Sequence, residues 1–389
     1  VVATRSAADY VDFGVFWAAL YLVIAALSGV QQEITRGTGP VRVDTVRADA
    51  APANRRQAFV FGAAASVLTS VVIIATAPLW MGAIFAGNGW MFVLPLAVGA
   101  ASYVVVAVLS GTLYGLELWR AISLMIGVDG VLRLLAVLVV LMFTQDIGVL
   151  VWAVVVPFPL TPLVLWLFLR RSVVGRSELD VGYRALTWNV ARTVVAAAAL
   201  GLLISGYPLV LTAMSPEAPR AELGASLAAI NLIRAPLVIV VLSLQSYFVI
   251  RFRKAPNHAW ALFVRLAALI LAVTVVAAAV AWFVGPPVLA WLGRDYSLDG
   301  VVVAGLVATS GVLAVLCVSG PLALARSEHG VFTAGWVVAA VATIVALLLP
   351  GDLAPRMLFS LAIGPTIGVI VHVVGLAVRE RSSKARLLG

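Results

Sequence analysis

Residues 91–115 read MFVLPLAVGAASYVVVAVLSGTLYG, and residues 300–325 read GVVVAGLVATSGVLAVLCVSGPLALA. Neither stretch holds a charged residue. At 1.5 Å per residue each is long enough to cross a hydrocarbon layer of about 30 Å as a helix. The two also match each other. Shifted by about 209 positions, Ser110-Gly111 and Leu113 fall on Ser319-Gly320 and Leu322. One stretch argues for a membrane helix; the pair argues for a chain built twice.

Outward from these two, apolar runs bounded by proline, glycine and charge recur along all 389 residues. The expected spans are 13–36, 57–83, 91–115, 120–143, 147–169, 186–212, 222–249, 260–285, 300–325, 331–349 and 356–378. The chain is 63% hydrophobic and 11% charged, whereas a soluble domain carries roughly 25% charged residues. No water-soluble globule buries that apolar share. The expected fold class is therefore an all-α polytopic membrane protein with 11 transmembrane helices in this sequence. The long connection at 37–56, with Pro40 and Pro52, reads as a mobile surface loop.

Lysine and arginine fix the orientation. Alternate connections carry 18 of them on one side, including Arg36, Arg42, Arg47, Arg170, Arg251, Arg326 and Arg379, against 4 on the other. The basic side is the cytoplasmic one, so residues 1–12 start outside and the C-terminus ends inside. The net charge of +9 is thus a topogenic signal beside anionic lipid and not a nucleic-acid surface. Arginine outnumbers lysine 24 to 2, a usage that with the alanine and valine richness suggests a GC-rich bacterial genome and a bacterial cytoplasmic membrane. Cys317 is the sole cysteine, and His258, His329 and His372 are far apart. Neither a disulfide framework nor a metal site is expected, and no cofactor is implied.

The repeat also brings 91–115, 120–143 and 147–169 onto 300–325, 331–349 and 356–378. Two six-helix lobes follow: an N-terminal lobe over 1–171, a cytoplasmic linker over 172–185 and a C-terminal lobe over 186–389. Span 186–212 opens the second lobe, and its counterpart would precede Val1. The expectation is a further helix before Val1, giving twelve in all.

Particular residues now resemble a family. Asp9-Tyr10-Val11-Asp12-Phe13-Gly14-Val15-Phe16, running on to Gly29-Val30-Gln31-Gln32-Glu33-Ile34-Thr35-Arg36, resembles the second helix of polysaccharide flippases of the multidrug/oligosaccharidyl-lipid/polysaccharide (MOP) exporter superfamily. Leu109-Ser110-Gly111-Thr112-Leu113-Tyr114-Gly115 resembles that family's turn between helices four and five. Glu222-Leu223-Gly224, followed by Asn231, Arg234, Pro236 and Gln245, resembles its eighth helix. The resemblance implies alternating access by two six-helix lobes around a central cavity. It also implies transport, not catalysis, of a polyprenyl-(pyro)phosphate-linked glycan precursor, among membrane lipids and with glycan synthases or polymerases as partners. One departure is Gly206-Tyr207-Pro208, where the family often carries a polar or acidic residue.

A charge at mid-membrane costs roughly 2.5–3.5 kcal/mol, so deep charges are the candidates for function. Arg133 and Arg234 lie near the middle of their spans. Asn231 precedes Arg234 by three residues, on the same helical face. This pair reads either as a phosphate-binding patch on a water-accessible cavity wall or as packing that satisfies backbone carbonyls between helices. Asp129 lies four residues before Arg133, which reads as a structural or gating ion pair. Arg192 lies near a cytoplasmic end and either snorkels or touches substrate. Gln31, Glu33 and Arg36 close the first span and read either as the cavity's inner mouth or as a solvated interface. His372, alone on an apolar helix, reads first as a packing residue.

No G-x-x-x-x-G-K-[ST] loop occurs, so transport would run on an ion gradient, the membrane potential or the substrate's own gradient. Two rival functions stand beside the flippase. A cation-coupled multidrug exporter would want an uncompensated deep acid, whereas the deep charges here are net basic. A membrane glycosyltransferase using polyprenyl-phosphate sugars could use Asp9 and Asp12, yet Asp12 also reads as a cap for a helix starting at Phe13.

Overall fold

The computed structural model describes residues 6–40, 53–85, 87, 89–174, 177–179, 182–254, 258–293 and 296–388. The loop charges Arg5, Arg42, Arg47, Arg176 and Arg294 lie outside the described residues, as does most of the 37–56 connection. The helices are α1 (Ala7–Gly37), α2 (Ala53–Ile84), α3 (Trp90–Gly115), α4 (Trp119–Phe143), α5 (Ile147–Val155), α6 (Pro157–Val173) and α7 (Tyr183–Gly201). A π-helical turn, Leu202–Gly206, leads into α8 (Tyr207–Ala213). Then come α9 (Arg220–Ser243), α10 (Gln245–Lys254), α11 (Ala259–Leu292), α12 (Gly300–Ala325), α13 (His329–Leu347) and α14 (Leu353–Leu388).

Among the described residues, ten helical segments are long and apolar enough to cross a membrane. This is a multi-pass membrane protein. The expected eleventh span, 222–249, is helical over α9 and α10, but its side chains at 235–243 are outside the description.

Proline explains two departures from single uninterrupted spans. Span 147–169 breaks between α5 and α6, where Pro157 and Pro159 supply no N–H to the ladder. Span 186–212 widens into the π turn just ahead of Pro208.

The all-α expectation needs one small correction. Thr38–Pro40 (β1) pairs antiparallel with Ser177–Leu179 (β2), Thr38 opposite Leu179. Three residues at a helix exit, Thr38-Gly39-Pro40, carry no periodicity by which a ribbon could be read. Part of the connection expected to be a mobile loop is thus a paired strand, with Gly115 leaving room for Thr38 against α3.

The described residues fall into two compact units, those within 15–201 and those within 6–14 together with 202–388. This division differs from the expected lobe boundary at 172–185, and close helix packing gives the reason. In the first unit, Gly29 of α1 lies against the backbone of Val194, and Gly201 leaves room for Ala25, so α7 packs along the body of α1. In the second, Gly224 of α9 lies against the carbonyl of Ala7, so the first two turns of α1 pack on α9.

The two stretches quoted at the outset lie at the centre of their respective units. In the first unit α3 packs against α2, α5 and α6, and it buries most of its side chains, while α2 and α4 bury few of theirs. In the second, α12 packs against α9, α10, α11 and α14, while α11 turns Val273, Val275, Val276 and Phe283 outward. Both central helices end in the same turn. Glu117 (φ 57°) and Ser327 (φ 61°) are left-handed, and Leu118 and Glu328 donate back to the carbonyls of Leu113 and Ala323, each at 3.0 Å.

Candidate functional site

In the second unit, Arg234 is only 2% exposed. The expectation of a water-accessible guanidinium does not hold in this structure, because the π turn and α8 close over it. Nη2 donates to the carbonyl of Leu203 at 3.1 Å. That carbonyl is open for a chemical reason. In the π register each carbonyl is directed at the N–H five residues on, and five residues beyond Leu203 stands Pro208, which has none. The guanidinium carbon also lies 5.7 Å from the centre of the Tyr207 ring. Tyr207 is itself pinned: its hydroxyl donates to the carbonyl of Met357 at 3.2 Å and shares a bond with Ser360 Oγ at 2.7 Å.

These contacts leave most of the guanidinium unused. Nε and Nη1 are buried without a hydrogen-bond partner among the described residues. Among the described residues no carboxylate pairs with Arg234. A buried cation without a counter-ion costs several kcal/mol.

Asn231, one turn before Arg234, donates from Nδ2 to the hydroxyl of Tyr10 at 3.2 Å. Tyr10 meets the Tyr296 ring edge-on at 6.2 Å, and Tyr296 donates to the carbonyl of Ser6 at 3.2 Å. Arg220, at the start of the same helix, pairs with Asp12 at 3.0 Å. The side chains of Pro236 and Gln245 lie outside the described residues.

The first unit holds the contrasting case. Arg133 Nη2 donates to Asp129 Oδ2 at 2.6 Å, with side chains 13% and 28% exposed. Nη1 reaches the hydroxyl of Tyr21 at 3.3 Å and the carbonyl of Val154 at 3.5 Å, just ahead of the Pro157 break. The ring of Phe158 lies 4.0 Å beneath the guanidinium. This arginine has a carboxylate partner, and Arg234 has none among the described residues.

Glu33, Gln31, Arg36 and Arg192 also belong to the first unit, whereas Arg234 and Asn231 belong to the second. Glu33 is buried and accepts from Thr193 Oγ1 at 2.7 Å. Arg36 is 76% exposed and approaches Glu33 only to 3.8 Å. Gln31 is half-buried, and Arg192 is exposed; it lies at the middle of α7, not near its end, because that helix begins at Tyr183 and stops at Gly201. In the second unit His372 is fully buried, with Nδ1 at 2.7 Å from Ser319 Oγ and Nε2 at 3.1 Å from the carbonyl of Phe332. Both ring nitrogens are engaged, as a packing histidine's would be. Among the described residues no group of three or more His, Cys, Asp or Glu side chains could hold a metal ion.

Three participants were not visible as side-chain candidates: the Leu203 carbonyl, Tyr207 and Tyr10. The usable signal for the first two was Pro208 inside an apolar run, since a proline frees a carbonyl four or five residues upstream.

In fold the chain is similar to solved transporters that are described as members of the MOP superfamily. A multidrug resistance MATE family transporter in its inward-facing conformation matches with a TM-score of 0.70 over 99% of this chain and 93% of that one, at 14% identity. A MOP superfamily transporter from Pyrococcus furiosus matches with a TM-score of 0.59 over 97% of this chain and 88% of that one, at 15% identity. No protein-family model matches. In sequence, the uncharacterized protein Rv1510 of Mycobacterium tuberculosis is 30% identical over 377 residues, covering 94% of this chain and 84% of the relative. This chain belongs to the same family as that mycobacterial protein.

Proposed function

We propose that the protein is an alternating-access flippase for a lipid whose headgroup is a phosphate- or pyrophosphate-linked glycan, moved outward across the bacterial cytoplasmic membrane. One observation carries this reading: the guanidinium of Arg234 is buried, with Nε and Nη1 unpartnered among the described residues. A transporter of organic cations would gain nothing from a deep, unneutralised positive charge, which would repel its substrate at close range. A phosphate supplies acceptor oxygens in the geometry that arginine matches.

The Pyrococcus furiosus protein is described by a reverse polarity of its binding pocket that suggests a different function. Those words concern that protein, but the same reasoning from charge applies here. The fold likeness to a multidrug resistance transporter keeps multidrug export as the competing reading. The cytoplasmic position of the C-terminus and any contact with glycan synthases belong to the same proposal.

Mass spectrometry of lipids that co-purify with the protein tests it. Wild type should retain a polyprenyl-phosphate or -pyrophosphate species that Arg234→Ala loses. Retention of the same species by both proteins would remove Arg234 from substrate binding.

A further inference from the structure

A proline in the middle of an apolar helix is usually read as a kink. At Pro208 its other property, the missing N–H, has the larger consequence. The π turn Leu202–Gly206 directs the Leu203 carbonyl at residue 208. With proline there, the carbonyl finds its donor in Arg234, at 3.1 Å, from a different helix. It is the sole hydrogen-bond acceptor that the guanidinium has among the described residues.

We infer that Pro208 is a positioning residue for Arg234: by withholding a backbone donor it reserves the Leu203 carbonyl, which orients the guanidinium and leaves Nε and Nη1 for an anion. The anion part of this inference rests on the function proposed above; the hydrogen-bond part does not. The neighbouring residues serve the same end. Tyr207, next to Pro208, is held by Met357 and Ser360 and presents its ring to the guanidinium. Gly206, on the other side of Tyr207, is buried in the turn. Gly206-Tyr207-Pro208 thus replaces a charged or polar helix position with a backbone acceptor and an aromatic face.

The first unit carries a related device with a different ending. Arg133 reaches the carbonyl of Val154 ahead of Pro157 and lies over Phe158, but Asp129 neutralises it. The same combination of deep arginine, proline break and aromatic ring yields a closed ion pair there. At Arg234, where no acid is supplied among the described residues, it yields a cation without a counter-ion.

The test separates the missing donor from the ring. Pro208→Ala restores an N–H that can close on Leu203. Replacement of Pro208 by lactic acid, a backbone ester, removes the ring but supplies no N–H. The full chain in lipid nanodiscs is titrated with farnesyl diphosphate and, separately, with inorganic pyrophosphate. Pro208→Ala should weaken farnesyl diphosphate binding about tenfold, the loss of one charged hydrogen bond, while the lactic acid variant binds like wild type. Equal affinities for Pro208→Ala and the ester would overturn the inference, as would equal loss by both. Binding of pyrophosphate as tight as that of the lipid would assign the site to a free anion and overturn the lipid substrate.

A thermal cycle covers the case in which no protein binds either probe. Pro208→Ala should raise the unfolding temperature in an Arg234→Met background, where it only adds a backbone bond. It should raise it less, or lower it, in wild type, where it also strands Arg234. Unequal shifts without ligand binding would support the positioning and refute the anion site. Equal shifts in the two backgrounds refute the positioning itself.

Discussion

Replacing Asp129 with alanine removes the carboxylate 2.6 Å from Arg133 Nη2 and leaves the arginine with weaker partners. Breaking one side of a fully buried pair costs about 3–5 kcal/mol. Here the cost should be lower, for two structural reasons. The side chains are 13% and 28% exposed, and Arg133 keeps Tyr21, the Val154 carbonyl and the Phe158 ring. A loss of about 2 kcal/mol is expected, or roughly 4 °C or more in unfolding temperature for a unit of this size. Arg133→Ala strands the more exposed Asp129 and removes packing over Phe158, costing a similar amount. The double variant Asp129→Ala with Arg133→Ala has no orphaned charge, and should be no worse than either single variant. Thermal unfolding of the three variants and wild type in nanodiscs measures this directly. Strict additivity, with the double variant losing the sum of the two, would refute the account of the pair as self-neutralising.

Other outcomes follow from the same contacts. Gly224→Ala should destabilise by about 1–3 kcal/mol, since a Cβ there collides with the carbonyl of Ala7; unchanged unfolding would mean the first turns of α1 do not rest on α9. His372→Phe keeps the ring stacked on Phe332 but loses both hydrogen bonds. It should lower stability by about 1–3 kcal/mol and leave transport per folded protein intact; loss of transport at normal stability would give His372 a functional role. On a Cys317→Ala background, a cysteine at position 47 should react with impermeant thiol reagents only from the cytoplasmic side. Labelling from outside intact cells would reverse the topology read from the basic loops.

Much of the architecture is legible because membrane burial imposes a length and an apolarity that sequence cannot hide. Residues 91–115 and 300–325 announce themselves, and they are the two central helices. The spacing of Asp129 and Arg133 is equally readable, since four residues on one helix place two side chains together whatever the rest of the chain does. Breaks within spans are harder. Pro157 and Pro208 were visible, yet a proline in a membrane helix can kink, widen or simply be tolerated, depending on neighbours that sequence does not reveal. The site around Arg234 shows the deeper limit. Its chief partner is a backbone carbonyl, which every residue possesses and no sequence pattern marks. Tyr10 and Asn231 meet across 221 positions, a distance over which one sequence carries no pairing signal. Gly206-Tyr207-Pro208 drew attention as a place lacking a polar side chain, and the polar group it supplies is main-chain.

The central claim is that a deep, unneutralised arginine recognises an anionic lipid headgroup for transport. The most direct measurement is translocation of a fluorescent polyprenyl-pyrophosphoryl sugar in proteoliposomes, normalised to folded protein, for wild type, Arg234→Lys, Arg234→Ala and Arg234→Glu. Wild type should transport, Arg234→Lys should keep part of the rate because a point charge still attracts phosphate without the planar fork, and Arg234→Ala and Arg234→Glu should lose it, the acid most completely. Transport by Arg234→Glu equal to that of wild type would contradict the account.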